Sequence, residues 1–120
     1  MLSRDEQNRI RADIGRINNE IDQIKGEIDQ IRDQLNSNWN SLKELREAQR
    51  FHQRESRKRH MRHVGYQGGD VDRAIYQTND NNTALKARKD ELFQRKNALH
   101  EQKAALYAQL GDSRRPSSGH

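Results

Sequence analysis

Stepping by four and three from Ile10 reaches Ile14, Ile17, Ile21, Ile24, Ile28, Ile31, Leu35, Asn38, Leu42 and Leu45. All but Asn38 are isoleucine or leucine, and most positions between them are polar. This alternation is the 3.5-residue repeat of a coiled coil, which holds one apolar seam against a neighbouring helix. Residues 21–34 even read as a duplicated heptad, Ile-Asp-Gln-Ile-Lys-Gly-Glu and then Ile-Asp-Gln-Ile-Arg-Asp-Gln. Ser3, with Glu6 three residues on, forms a capping box that starts the helix. Beyond Leu45 the seam decays through Gln49, His52 and Ser56. Three glycines then fall within Gly65–Gly69, and Asp70 follows as an N-cap, so the pattern predicts a turn. A second heptad series follows at Leu85, Leu92, Leu99 and Leu106, with Leu110 four further on and Gly111 placed as a C-cap glycine. The polar run 77–83 is expected to fray the start of this second helix.

The pattern predicts an all-α fold, a long antiparallel coiled-coil helical hairpin that assembles further into a multi-helix bundle. It reads as one domain over 1–111, with a helix at 3–63, a turn at 64–70 and a helix at 71–110. The tail 112–120 is expected to be disordered. Folding at Gln67, the middle of the glycine turn, gives a register in which facing residues have numbers summing to 134. Leu42 then meets Leu92, Leu35 meets Leu99, Ile28 meets Leu106 and Ile24 meets Leu110. Lys89, Lys96 and Lys103 fall opposite Leu45, Asn38 and Ile31, and lysine covers such positions poorly. Ile10, Ile14, Ile17 and Ile21 project past the second helix. A buried isoleucine is worth roughly 1.5–3 kcal/mol, so four in a row are expected to recruit a second copy or a partner helix. Isoleucine at both seam positions points the same way, because it favours assemblies of more than two helices.

Composition fits this picture. Only 30% of the 120 residues are hydrophobic and 34% are charged, too polar for a globule with a thick core but suited to a thin helical assembly. The sequence contains no cysteine, which excludes disulfides, thiolate catalysis and cysteine-based zinc sites. No apolar run approaches the ~20 residues that span a bilayer. The start, Met1–Glu6, lacks the apolar core of a signal peptide. The expectation is a soluble, intracellular protein that does not engage membranes.

The net charge of +5 is uneven. Residues 1–45 carry −2 and residues 64–120 carry +2, so the whole excess lies in 46–63, with seven bases against Glu47 and Glu55. Arg50, Arg54, Arg57, Lys58, Arg59 and Arg62 are the candidate contacts for phosphates or for an acidic protein surface. His52, His60 and His63 stand among them, but arginine neighbours repel cations and no carboxylate completes a ligand set, so no metal is assigned. Asn38 is a register-setting polar seam residue. Trp39 and Phe93 share one flank of the expected seam, where an aromatic contact would reinforce the hairpin. No phosphate-binding glycine loop, carboxylate pair or nucleophile triad is present. The sequence reads as a non-enzymatic structural or adaptor protein with no cofactor and no small-molecule substrate. The alternative is a nucleic-acid-binding accessory protein that uses residues 50–63.

Overall fold

The computed structural model describes residues 2–58 and 63–114, apart from the side chains of 112–114. Two helices, α1 (Arg4–Arg57) and α2 (Gly69–Arg114), form an all-α helical hairpin. The chain divides into two compact units, each built from a segment of both helices. Unit one is Met1–Asp29 with Asp90–His120, and unit two is Gln30–Lys89. Among the described residues no helix is long and apolar enough to cross a membrane.

Local chemistry accounts for both helix starts. Ser3 Oγ accepts from the Glu6 amide at 3.1 Å, the N-cap half of the capping box, and the Ser3 carbonyl accepts from the Gln7 amide at 3.0 Å to begin the helix ladder. Asp5 and Glu6 sit in the first turn of α1, and Arg54 and Arg57 in the last, complementing the helix dipole at each end. α2 opens one residue before the expected Asp70, with the Asp72 amide donating to the Gly68 carbonyl at 2.9 Å. It stays helical through 77–83, where fraying was expected. There Thr78 and Thr83 donate their hydroxyls to the carbonyls of Ala74 and Asn79, at 2.8 and 3.1 Å. These back-bonds satisfy the side chains without breaking the helix. Gly111 is not a cap either, because α2 continues through it to Arg114. The remainder of the tail expected to be disordered, 115–120, lies outside the described residues.

The register departs from the expected one. In unit one, Leu110 packs with Ile10 and Ile14, and Leu106 and Leu2 lie against the same cluster. Lys103 Nζ donates to Asn18 Oδ1 at 3.1 Å, and Arg95 pairs with Glu20. In unit two, Asn38 Nδ2 donates to Asn81 Oδ1 and Asn82 Oδ1, each at 2.8 Å, and Gln49 Nε2 donates to Asp72 Oδ1 at 2.8 Å. Within each unit, then, facing residues have numbers adding to about 120 rather than 134. The shift is about two heptads. It keeps every seam residue on the seam while exchanging its partner. α1 ends at Arg57 rather than 63, which brings the return earlier.

The new register removes the overhang. Ile10, Ile14 and Ile21 are buried, at 8%, 6% and 3% exposure, so they are seam residues already covered within unit one. Ile17 alone of the four remains half-buried. The other expected seam residues Ile24, Ile28, Ile31, Leu42, Leu92, Leu99 and Leu110 are also buried, and Leu35 and Leu106 are half-buried. Most of this apolar core belongs to unit one. The seam of unit two relies on Ile31, Leu42 and the Asn38 and Gln49 hydrogen bonds. Trp39 lines a groove of unit two together with Asn82 and Thr83. Phe93 instead takes the Lys96 ammonium, 5.0 Å from its ring centre.

The register is checked in a background that contains no cysteine. Ile10→Cys with Leu110→Cys is expected to crosslink within one chain, and Ile24→Cys with Leu110→Cys is not. The two register choices differ by about 21 Å along the helix axis. Glycine substitutions give a second check. Gly65 adopts φ +78°, so Gly65→Ala is expected to cost about 1–2 kcal/mol. At Gly26 a Cβ meets nothing within 4 Å, and Gly26→Ala is expected to stabilise by up to about 1 kcal/mol. Thermal melting reads both signs.

Candidate functional site

The described bases of the segment lie at the end of α1 and just beyond it. Arg50, Arg54, Arg57 and Lys58 are all exposed. Arg50 Nε donates to the Arg46 carbonyl at 3.3 Å, and Lys58 pairs with Glu55 at 2.6 Å. Arg54 and Arg57 enter no ion pair among the described residues. Arg59 and Arg62, with His60 and Met61 between them, lie outside the described residues. Of the histidines, His52 is half-buried between the rings of Phe51 and Tyr66, with centroids 5.5 and 6.5 Å away and edge-on geometry. His63 is exposed. Among the described residues no group of three histidine, aspartate or glutamate side chains converges to hold a metal ion.

A hydrogen-bonded clasp closes the return between the helices, and nothing in the glycine-rich turn signalled it. Tyr66 Oη donates to Asp72 Oδ1 at 2.8 Å, on the same oxygen that accepts from Gln49. Gln67 Nε2 donates to the Val64 carbonyl at 3.0 Å. Tyr66 lies across Gly68 so closely that a Cβ there would collide with its hydroxyl and ring. Desolvation, and then the hydrogen bond to Asp72 and its charge, raise the Tyr66 hydroxyl above the ordinary tyrosine value. Phe51, His52, Glu55, Ser56, Gly65 and Gln67 line a small hollow beside this clasp.

Two open grooves flank the core of unit one. The first is lined by Arg11, Ile14, Gly15, Asn18, Tyr107 and Leu110. The second is lined by Asp13, Arg16, Ile17, Glu20, Ala105 and Leu106. In unit two a further groove is lined by Trp39, Leu42 and Arg46 of α1 and by Asn79, Asn82 and Lys86 of α2. Lys43, Arg46 and Lys86 were not singled out from the sequence, although Lys43 and Arg46 continue the spacing of Arg50, Arg54 and Arg57 by three and four residues. A helical projection carried through the seam would have found them.

The clasp gives a pH test. A tyrosine held above its ordinary value stabilises the fold while protonated, and that contribution disappears as pH rises through the raised value. Tyr66→Phe is expected to melt slightly below wild type at neutral pH, with the gap closing above about pH 10. A gap that stays constant across that range would contradict the Tyr66–Asp72 bond. No family model, curated protein or solved structure matches this chain, so its function is read from these side chains.

Proposed function

We propose that this hairpin is a non-enzymatic structural or adaptor protein that acts by pairing with a second copy of itself along one flank of unit one. The observation that carries this reading is the groove of Ile17, Ala105 and Leu106. Ile14 and Ile21, either side of Ile17 on the seam, are buried, yet Ile17 and Leu106 stay half-buried and share this cleft. Its rim holds Asp13, Arg16 and Glu20, charges of both signs. A two-fold axis beside the groove would bring Ile17 and Leu106 of the two copies together, as an isologous interface requires. Two hairpins joined this way make a four-helix arrangement, the class that isoleucine at both seam positions favours. The flank grooves are open to solvent, which suits a docking surface better than a reaction chamber. The second reading, a nucleic-acid contact through the basic segment, is favoured by the exposed Arg54 and Arg57, which enter no ion pair among the described residues. Salt separates the two, since phosphate contacts weaken steeply with ionic strength and an apolar seam does not.

Light-scattering mass tests the proposal. Wild-type protein at high micromolar concentration is expected at twice the chain mass of 14.1 kDa. Ile17→Gln combined with Leu106→Gln is expected to return it to a single chain with its helicity intact. A monomeric wild type would overturn the self-pairing.

A further inference from the structure

Arg50, Arg54 and Arg57 are the end of a longer surface. At about 100° per residue, Trp39, Lys43, Arg46, Arg50, Arg54 and Arg57 fall within one arc of about 80° on α1. Between residues 39 and 57 the arc holds no other residue and no acid; Glu47 lies just beside it. All five bases are exposed, and the Trp39 indole is 56% exposed. Among the described residues, Lys43, Arg46, Arg54 and Arg57 enter no ion pair. Elsewhere Arg16, Arg73 and Arg95 are each paired with a carboxylate. Among the described residues, then, no carboxylate pairs with this row.

α2 extends the surface across the groove of unit two. Lys86, Thr83 and Asn79 line that groove with Trp39 and Arg46. Tyr76 lies one turn earlier on the same face of α2 and is 73% exposed. The bases of the row are three or four residues apart, so they recur every ~4.5–6 Å, and Lys43 to Arg57 spans about 21 Å. A line of cations at this repeat matches a polymer with one negative charge per unit. The exposed indole on the same arc adds a flat apolar face.

We infer that the arc from Trp39 to Arg57, with Lys86 and Tyr76 across the groove, binds single-stranded nucleic acid. Phosphates lie along the arginine row and an unpaired base stacks on Trp39. The bases supply the electrostatic attraction, through counterion release. Trp39 favours a single strand over a duplex, because a base within a helix cannot present its face to the ring. The surface reads no particular sequence, since neither face of the groove offers a base-edge code beyond Asn79 and Asn82. A lipid surface fits less well, because the arc has no apolar stripe to insert. This goes beyond the self-pairing proposed above and uses the other unit, so either can fail without the other.

The chain has one tryptophan, and it lies at the proposed contact. The full-length protein is titrated with an oligothymidylate of about 20 nucleotides at about 50 mM salt while its emission is followed. Quenching of Trp39 is expected, with log K falling against log salt at a slope of about −3 to −4 for five engaged phosphates. Trp39→Leu is expected to weaken binding roughly 5- to 150-fold with the slope unchanged, and Trp39→Phe to recover much of it. Arg46→Gln, Arg50→Gln and Arg54→Gln together are expected to weaken binding at least about tenfold and flatten the slope. Circular dichroism on each variant confirms that the helices persist. The monomeric Ile17→Gln, Leu106→Gln variant is expected to bind as wild type does. Three results would overturn the inference. The first is unchanged Trp39 emission on binding. The second is equal or tighter binding of heparin, polyglutamate or anionic vesicles. The third is absence of binding at about 50 mM salt.

Discussion

The structure depends on a stripe of isoleucine and leucine finding its partner at one of several positions seven residues apart. A heptad seam fixes which face of a helix is buried, but sliding one helix by a whole heptad brings an equivalent face into place. The choice among these positions is made by what each leaves uncovered. In the observed register Leu110 covers Ile10 and Ile14, while Asn38 finds Asn81 and Asn82. A slide of two heptads would strip the buried Ile10, Ile14 and Ile21 of their cover, at roughly 1.5–3 kcal/mol each. It would also leave a seam asparagine without a matched partner, which costs further.

The consequence is a division of labour between the two units. Unit one holds most of the buried isoleucine and leucine, and its stability rests on apolar packing. Unit two holds its helices together through Ile31, Leu42 and amide hydrogen bonds, with the Tyr66–Asp72–Gln49 clasp at the return. Few buried apolar contacts and many solvated polar ones place unit two at the low-stability end of local opening. Its surface carries the exposed Trp39 and the bases Lys43, Arg46, Arg54 and Arg57, which enter no ion pair among the described residues. The open flank of unit one, around Ile17 and Leu106, offers the complementary apolar surface.

Much of this was legible in the residues. The 4,3 spacing identified both helices and the buried face of each, and Ser3 marked the start of α1 as its cap. The axial register was not legible, because the repeat is degenerate. The glycine run alone points to a turn centred on Gln67, whereas α1 ends at Arg57 and residues 65–68 lead into α2. Gly111 misled because a glycine with no neighbour near its Cβ is tolerated inside a helix at small cost. The charge of 46–63 was visible as a sum, but its ordering into an arc that begins at Trp39 needed the helical projection. The Tyr66 clasp had no sequence signal, since its partners come from three different segments.

The central claim is that Ile10 and Ile14 are covered by α2 of their own chain. Methyl nuclear Overhauser spectroscopy on isoleucine- and leucine-labelled protein, mixed with unlabelled protein to separate contacts within a chain from those between chains, reads this directly. Intrachain cross-peaks from the Leu110 methyls to Ile10 and Ile14 are expected. Cross-peaks from Leu110 to Ile24, with none to Ile10, would contradict it.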